Sequence, residues 1–172
     1  MEARHLHYDL DEYAEIEAAS ELRFELVRGQ LVAMAGGILA HADLIAEVAA
    51  TLRAELRETS CRITSSDLRI GHDPSGFRAY PDVVVRCRPP ETSPLPPKDT
   101  LLNPTMVVEV TSDRTERYDR GQKLAAYQKI QSLEAILIIS HRERRIDVYE
   151  CIVDDWTMRV YSFGETVKLR DG

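Results

Sequence analysis

A chain of 172 residues, 44% hydrophobic and 30% charged, suits one compact α/β domain with a substantial core and is short for two. No apolar run is long enough to span a membrane as a helix, Met1–Tyr8 lacks the basic-then-apolar build of a signal peptide, and Cys61, Cys87 and Cys151 lie far apart without a Cys-x-x-Cys pair. That cysteine pattern predicts reduced thiols in a cytoplasmic protein and excludes a zinc knuckle or a disulfide frame, while a formal charge of −7 weighs against a polyanionic partner.

In chain order, Asp9–Ala19 carries early acids and good helix formers and predicts a short helix. Leu22–Arg28 alternates, Arg28-Gly29-Gln30 turns, and Leu31–Met34 returns, so this pair reads as a β-hairpin that Gly36-Gly37 breaks off. Leu44, Ile45, Val48, Leu52 and Leu56 recur at helical spacing between Ile38 and Arg57 and predict the longest helix of the first half. Cys61–Ile70 and Phe77–Arg86 are strand candidates around the turn-rich loop Gly71–Gly76. Six of the eight prolines fall between Pro89 and Pro104, so residues 88–104 predict an extended loop, either a functional arm or a disordered connection. A short apolar strand follows within Asn103–Ser112, then a helix over Arg114–Ile130. Ala135–Ser140 reads as a central strand buried on both faces, and Arg145–Tyr149 and Met158–Tyr161 as closing antiparallel strands. No internal repeat is visible.

The strand within Asn103–Ser112 holds one carboxylate, Glu109, among Met106, Val107, Val108 and Val110. Burying it is costly unless a cation or a donor meets it. Asp82 opens the strand that Phe77–Arg86 contributes, so if the two strands are antiparallel neighbours, both acids arrive at one sheet edge. Opposed residues there lie roughly 4.5–5.5 Å apart at Cα. Two bare carboxylates that close would repel, and a hard divalent cation such as Mg²⁺ or Mn²⁺ removes the conflict. Lys123 follows on the next helix, with Asp119, Lys123 and Tyr127 at i, i+4 and i+8, and could reach back to the pair. A metal held by two carboxylates, plus a lysine, is the kit that phosphoryl transfer needs.

At these residues the chain resembles the Uma family of restriction-endonuclease-like proteins, within the PD-(D/E)XK nuclease superfamily. The matching pieces are Phe24–Met34, His41 at the start of the long helix, Pro81-Asp82-Val83-Val84-Val85, Val107–Ser112, Asp119-x-x-x-Lys123-x-x-x-Tyr127 and the strand after it, spanning roughly residues 20–150. No piece is specific alone; their order and spacing together are. The lysine that the superfamily places two residues after the second acid is Thr111 here, and the Uma-like pattern moves that charge to Lys123. The resemblance implies a restriction-endonuclease-like α/β fold over residues 1–172: a central mixed sheet flanked by two main helices, with residues 1–20 as an N-terminal helical extension beside the hairpin. It also implies Mg²⁺ (or Mn²⁺) dependence, DNA as substrate and a homodimer.

The expectation is therefore a Mg²⁺-dependent DNA endonuclease. Asp82, Glu109 and Lys123 are the catalytic residues, Asp82 and Glu109 the metal ligands, and Glu25, His41 and Tyr127 candidate further lining. The rival is a catalytically inactive nuclease-fold binding or assembly module, favoured by the acidic balance; hydrolysis of a small phosphoester is a third reading. Each residue also has a plainer role: a turn cap for Asp82, an arginine ion pair for Glu109, and an exposed Asp119 pair for Lys123. Tyr127 could simply pack, His41 could cap or pack, and Glu25 could face solvent. Six of the seven net negative charges fall within residues 1–25, and Arg114, Arg117 and Arg120, with Arg142, Arg144 and Arg145, leave room for a local basic surface. His5, His7, His72 and His141 show no metal-ligand spacing.

Overall fold

The computed structural model describes residues 7–34, 36 and 38–169. Gly37 and residues 1–6, His5 and most of the Met1–Tyr8 stretch among them, lie outside the described residues. Helix α1 (Leu10–Ala19) starts at Asp9, whose carboxylate caps the amides of Asp11 and Glu12 while the Glu12 side chain accepts from Asp9 N–H, a reciprocal capping box. Strands β1 (Phe24–Val27) and β2 (Gln30–Ala33) form the expected hairpin. Arg28 and Gly29 make its turn at φ 53° and 74°, the two left-handed positions that a tight hairpin turn requires.

The two strand candidates on either side of Gly71–Gly76 each split in two. Cys61–Ile70 gives β3 (Arg62–Ser65) and β4 (Ile70–His72), and Phe77–Arg86 gives β5 (Phe77–Ala79) and β6 (Val83–Arg86). Pro81 has no amide to donate, and Ser66 sits at φ 52°, so each run bends and changes sheet there. The result is a four-stranded sheet ordered β2-β1-β5-β4 and a six-stranded sheet ordered β10-β9-β8-β7-β6-β3. In the larger sheet β7 (Met106–Val110) runs parallel to β8 (Ala135–Ile139); its other pairings, including those of β9 (Arg145–Ile152) and β10 (Asp155–Ser162), are antiparallel.

Alternation along β6, β7 and β8 sets the layers. Val83, Val85, Met106, Val108, Ala135 and Leu137 face Leu44, Ile45, Val48 and Leu52 of α2 (Leu39–Glu55). Val84, Val107, Ile136 and Ile138 face the opposite way, against Val27, Ile70, Phe77 and Ala79 of the small sheet and Leu124 and Tyr127 of the second helical segment. That segment, expected as one helix, is α3 (Glu116–Tyr118), a π turn (Asp119–Lys123) and α4 (Leu124–Tyr127) in succession. The architecture is the mixed α/β sheet with two flanking helical layers that the sequence implies.

Two further expectations are corrected. Residues 88–104 are an extended loop as expected but not a disordered connection: Ser93, Thr100, Leu101 and Asn103 are buried, Thr92 bridges Leu101, and Leu101 bridges Ile70. The wholly buried guanidinium of Arg78 pins this loop through Asp73 (2.7 Å) and Ser93 (3.2 Å). The cysteines are not all free thiols. Arg62 pairs with Arg86, so the next positions outward, Cys61 and Cys87, stand opposite one another and are joined as a disulfide; Cys151 is the free thiol. Wide spacing in sequence is no guide once an antiparallel pair closes it, and the cysteines therefore give no argument for a reducing compartment. No helix among the described residues is long and apolar enough to cross a membrane.

Candidate active site

Register brings the two acids together. Val83 pairs with Val108 across β6 and β7, so one further step puts Asp82 opposite Glu109, both on the face that carries Val84 and Val107. Asp82 does more than end a turn: its Oδ2 accepts the Val110 amide at 2.7 Å, tying the start of β6 to the end of β7. Glu109 lies inside a strand buried at every position and is itself 3% exposed.

Lys123 meets that buried carboxylate. Its Nζ is 2.8 Å from Glu109 Oε1 and 2.8 Å from Glu25 Oε1. The Tyr127 hydroxyl donates to the same Glu109 oxygen. Glu25, from β1, is fixed in turn: Oε1 accepts the Tyr80 amide at 3.0 Å and Oε2 the Tyr118 hydroxyl at 2.8 Å. Lys123 is therefore not an exposed partner of Asp119, and Glu25 does not face solvent. Tyr127 both packs and bonds, since its ring also meets Phe77 edge-on at 5.4 Å.

The π turn explains why Lys123 points inward. The Leu124 amide reaches the Asp119 carbonyl five residues back, widening the helix by one residue at this turn. Such bulges re-aim side chains and recur at functional sites. Here the widened turn carries Asp119 and Lys123, both buried, against the end of β7.

Charge in the cluster is unbalanced. Burial raises the Glu109 carboxyl well above the ordinary glutamate value; Lys123 pulls it back, and Asp82, Asp119 and Glu25 push it up again. Burial likewise raises Asp82 and Asp119. Burial opposes the charge on Lys123, but Glu109 and Glu25 outweigh it and hold the ammonium well above an ordinary lysine. Four acids share one ammonium, so the pocket retains protons or takes up positive charge from outside.

Among the described residues no three carboxylate, imidazole or thiolate groups converge as a ready-made metal cage. The donor chemistry nevertheless fits Mg²⁺, which is typically held by one or two carboxylates with water and substrate oxygens completing its octahedron. Asp82 and Glu109 are two such carboxylates on facing strands. Partial exposure at Asp82 (17% of its side chain) and His41 (18%) marks the solvent side of the cluster.

His41 stands at that side. Its Nε2 is 2.8 Å from the Val110 carbonyl and 3.8 Å from Asp82 Oδ2, so it joins the first turn of α2 to the end of β7 rather than capping its own helix, whose N-cap is Ile38. Thr111, in place of the superfamily lysine, is wholly buried with its hydroxyl 2.8 Å from His141 Nδ1, and it holds the β8 terminus to β7. Sequence reasoning did not assign Tyr118 or Asp119 to the cluster. Asp119 had a signal, four residues before Lys123; Tyr118 had none.

The arginine clusters divide. Arg120 and Arg145 are held by Asp147, and Arg142 by Asp113. Arg114 and Arg117, on the segment leaving β7, are exposed and carry no ion pair among the described residues.

The fold is of the restriction-endonuclease-like class. The chain belongs to the Uma2 family, described as "Putative restriction endonuclease", whose model matches residues 10–172. It is 31% identical over 163 residues to the uncharacterized protein slr1290 of Synechocystis sp., covering 93% of this chain and 83% of that one. It is 25% identical over 158 residues to the uncharacterized protein sll1609 of the same organism, covering 92% and 89%. Its fold is similar to the crystal structure of a putative nuclease belonging to DUF820 from Anabaena variabilis, with a TM-score of 0.74 and 15% identity over 93% of this chain and 87% of that one.

Proposed function

We propose that the chain is a Mg²⁺-dependent endonuclease that hydrolyses DNA phosphodiester bonds at the Asp82–Glu109–Lys123 cluster. The observation that carries the reading is the single ammonium of Lys123, buried at the end of β7 and bonded to Glu109 on the strand opposite Asp82. A buried lysine fixed among several acids has more charge than a plain structural pair needs, and it stands where a phosphate oxygen beside a metal would develop negative charge.

Asp82 and Glu109 would hold the cation, which when bound supplies Lewis-acid stabilisation of the phosphate and a more acidic water. Lys123 places a permanent positive charge beside the scissile phosphate. Glu25 and Tyr127 orient the reacting pair: Glu25 fixes the ammonium from β1, and Tyr127 fixes the Glu109 carboxylate. His41 steadies the Val110 carbonyl and flanks Asp82 on the exposed side. Arg114 and Arg117 offer unpaired positive charge to the DNA backbone despite the acidic balance of the chain.

Nicking of supercoiled plasmid with Mg²⁺ or Mn²⁺ tests this. Open-circular product is expected from the wild type and not from Asp82→Ala; equal activity in both would mean a contaminant. Cleavage that falls steeply with added salt supports a duplex substrate, whereas salt-independent hydrolysis of a small phosphodiester with an intact plasmid would replace DNA by a small phosphoester.

A further inference from the structure

The six-stranded sheet has β10 at one edge, and this edge is unusually open. The Cys151 amide bonds to Glu134 on the β8 side, so the backbone groups of Glu150, Val148 and Ile146 point towards β10. Through the pairs Asp155–Ile152, Thr157–Glu150, Arg159–Val148 and Tyr161–Ile146, the odd residues of β10 bond inward. The amides and carbonyls of Trp156, Met158 and Val160 then face outward. No backbone group among the described residues bonds to them; Ser162, the last outward position, is capped by Glu165.

Exposed edges are normally blunted by proline, charged side chains (lysine above all), bulges or shortness. β10 has eight residues, continuous pairing with β9, no proline and no lysine; its charged residues, Asp155 and Arg159, both lie at positions bonded to β9 and not at the outward ones. Its outward residues are also apolar on one face, with Met158 51% and Val160 43% exposed, between Val153 at 92% and Phe163 at 75%.

We propose that β10 is the dimer surface: two copies of this chain pair antiparallel along it, joining two six-stranded sheets into one. A two-fold axis through Met158 makes the strand its own complement. Trp156, Met158 and Val160 face the second copy's Val160, Met158 and Trp156, so each outward amide finds a carbonyl. On the other face Arg159 lies opposite the second copy's Thr157 and diagonal to its Asp155, within reach of a long side chain. An axis through Arg159 would set two arginines against each other instead. This register is a self-match read from the strand, and it is independent of the chemistry proposed for the cluster.

Proline at an outward edge position removes only a donor that the monomer does not use. Met158→Pro therefore leaves the β9 pairing intact while blocking the second copy. Light scattering should give the wild type twice 19.5 kDa and the variant 19.5 kDa, with the variant still unfolding cooperatively and melting near the wild type at the dilution where the wild type dissociates. A wild type that stays monomeric across the concentration series, or a dimer that survives Met158→Pro, overturns the proposal. Hydrogen exchange on the wild type needs no variant. The amides of Trp156, Met158 and Val160 should exchange as slowly as those of Thr157 and Arg159 and accelerate on dilution; fast exchange at every concentration overturns it equally.

Discussion

Lys123 Nζ lies 2.8 Å from Glu109 Oε1, although one residue rides on a π turn and the other in the middle of a buried strand. Among the described residues the ammonium is the only positive group bonded to Glu25 and Glu109, and each of those acids depends on it. Removing one partner of a buried ion pair leaves the other uncompensated at about 3–5 kcal/mol. Lys123→Met is expected to cost that much in urea unfolding and to abolish cleavage. A variant of unchanged stability would mean that the acids are solvated and the cluster is not a buried unit.

Asp82 should behave in the opposite way. Burial raises its folded-state pKa above the unfolded value, so its favourable contribution is complete below the unfolded pKa and is lost as pH rises through the folded one. At neutral pH the carboxylate is a burden that function retains. Asp82→Asn keeps an oxygen for the Val110 amide and sheds the charge. Its melting temperature should exceed the wild type at pH 7, by about 2–4 °C for each kcal/mol relieved, with the gain shrinking towards pH 4. A loss of stability at pH 7 would contradict this sign.

Tyr127→Phe removes the hydroxyl that donates to Glu109 while keeping the ring against Phe77. A hydrogen bond to a charged group is worth about 1.5–3 kcal/mol. The expected result is a loss of that order together with a lower kcat at unchanged KM, because Glu109 is then less firmly placed. A change in stability alone would confine the Tyr127 hydroxyl to a structural role.

The Cys61–Cys87 bond closes a loop with a sequence separation of 26, which the chain-entropy account values at about 3–4 kcal/mol. Thiol titration of the denatured, unreduced protein should therefore find one reactive group, Cys151, and reductant should lower the melting temperature. Three titratable thiols would remove the bond from the account.

Much of this was legible in the sequence because it is local. Asp9 with Glu12, Arg28-Gly29, and the helical repeat from Leu44 to Leu56 each specify an element by nearest-neighbour chemistry. Asp82 and Glu109 could be paired on paper because strand alternation is regular. The parts that were not legible depend on partners distant in the chain. Whether Glu25 faces solvent or Lys123 is decided by how the small sheet docks on the large one. The π turn at Asp119–Lys123 replaces an i, i+4 pair that periodicity alone suggests. The cysteines meet only once β3 and β6 are in register.

Binding of Mn²⁺ followed by its electron paramagnetic resonance signal, in the wild type, Asp82→Asn and Glu109→Gln at pH 7, tests the cluster most directly. The account predicts that the wild type depletes free Mn²⁺ at one site and is stabilised by it, as any ligand selective for the native state must do. Both variants should fold yet lose that binding. A wild type that leaves the free-ion signal untouched, or variants that bind as well as it does, would contradict the assignment of these two carboxylates.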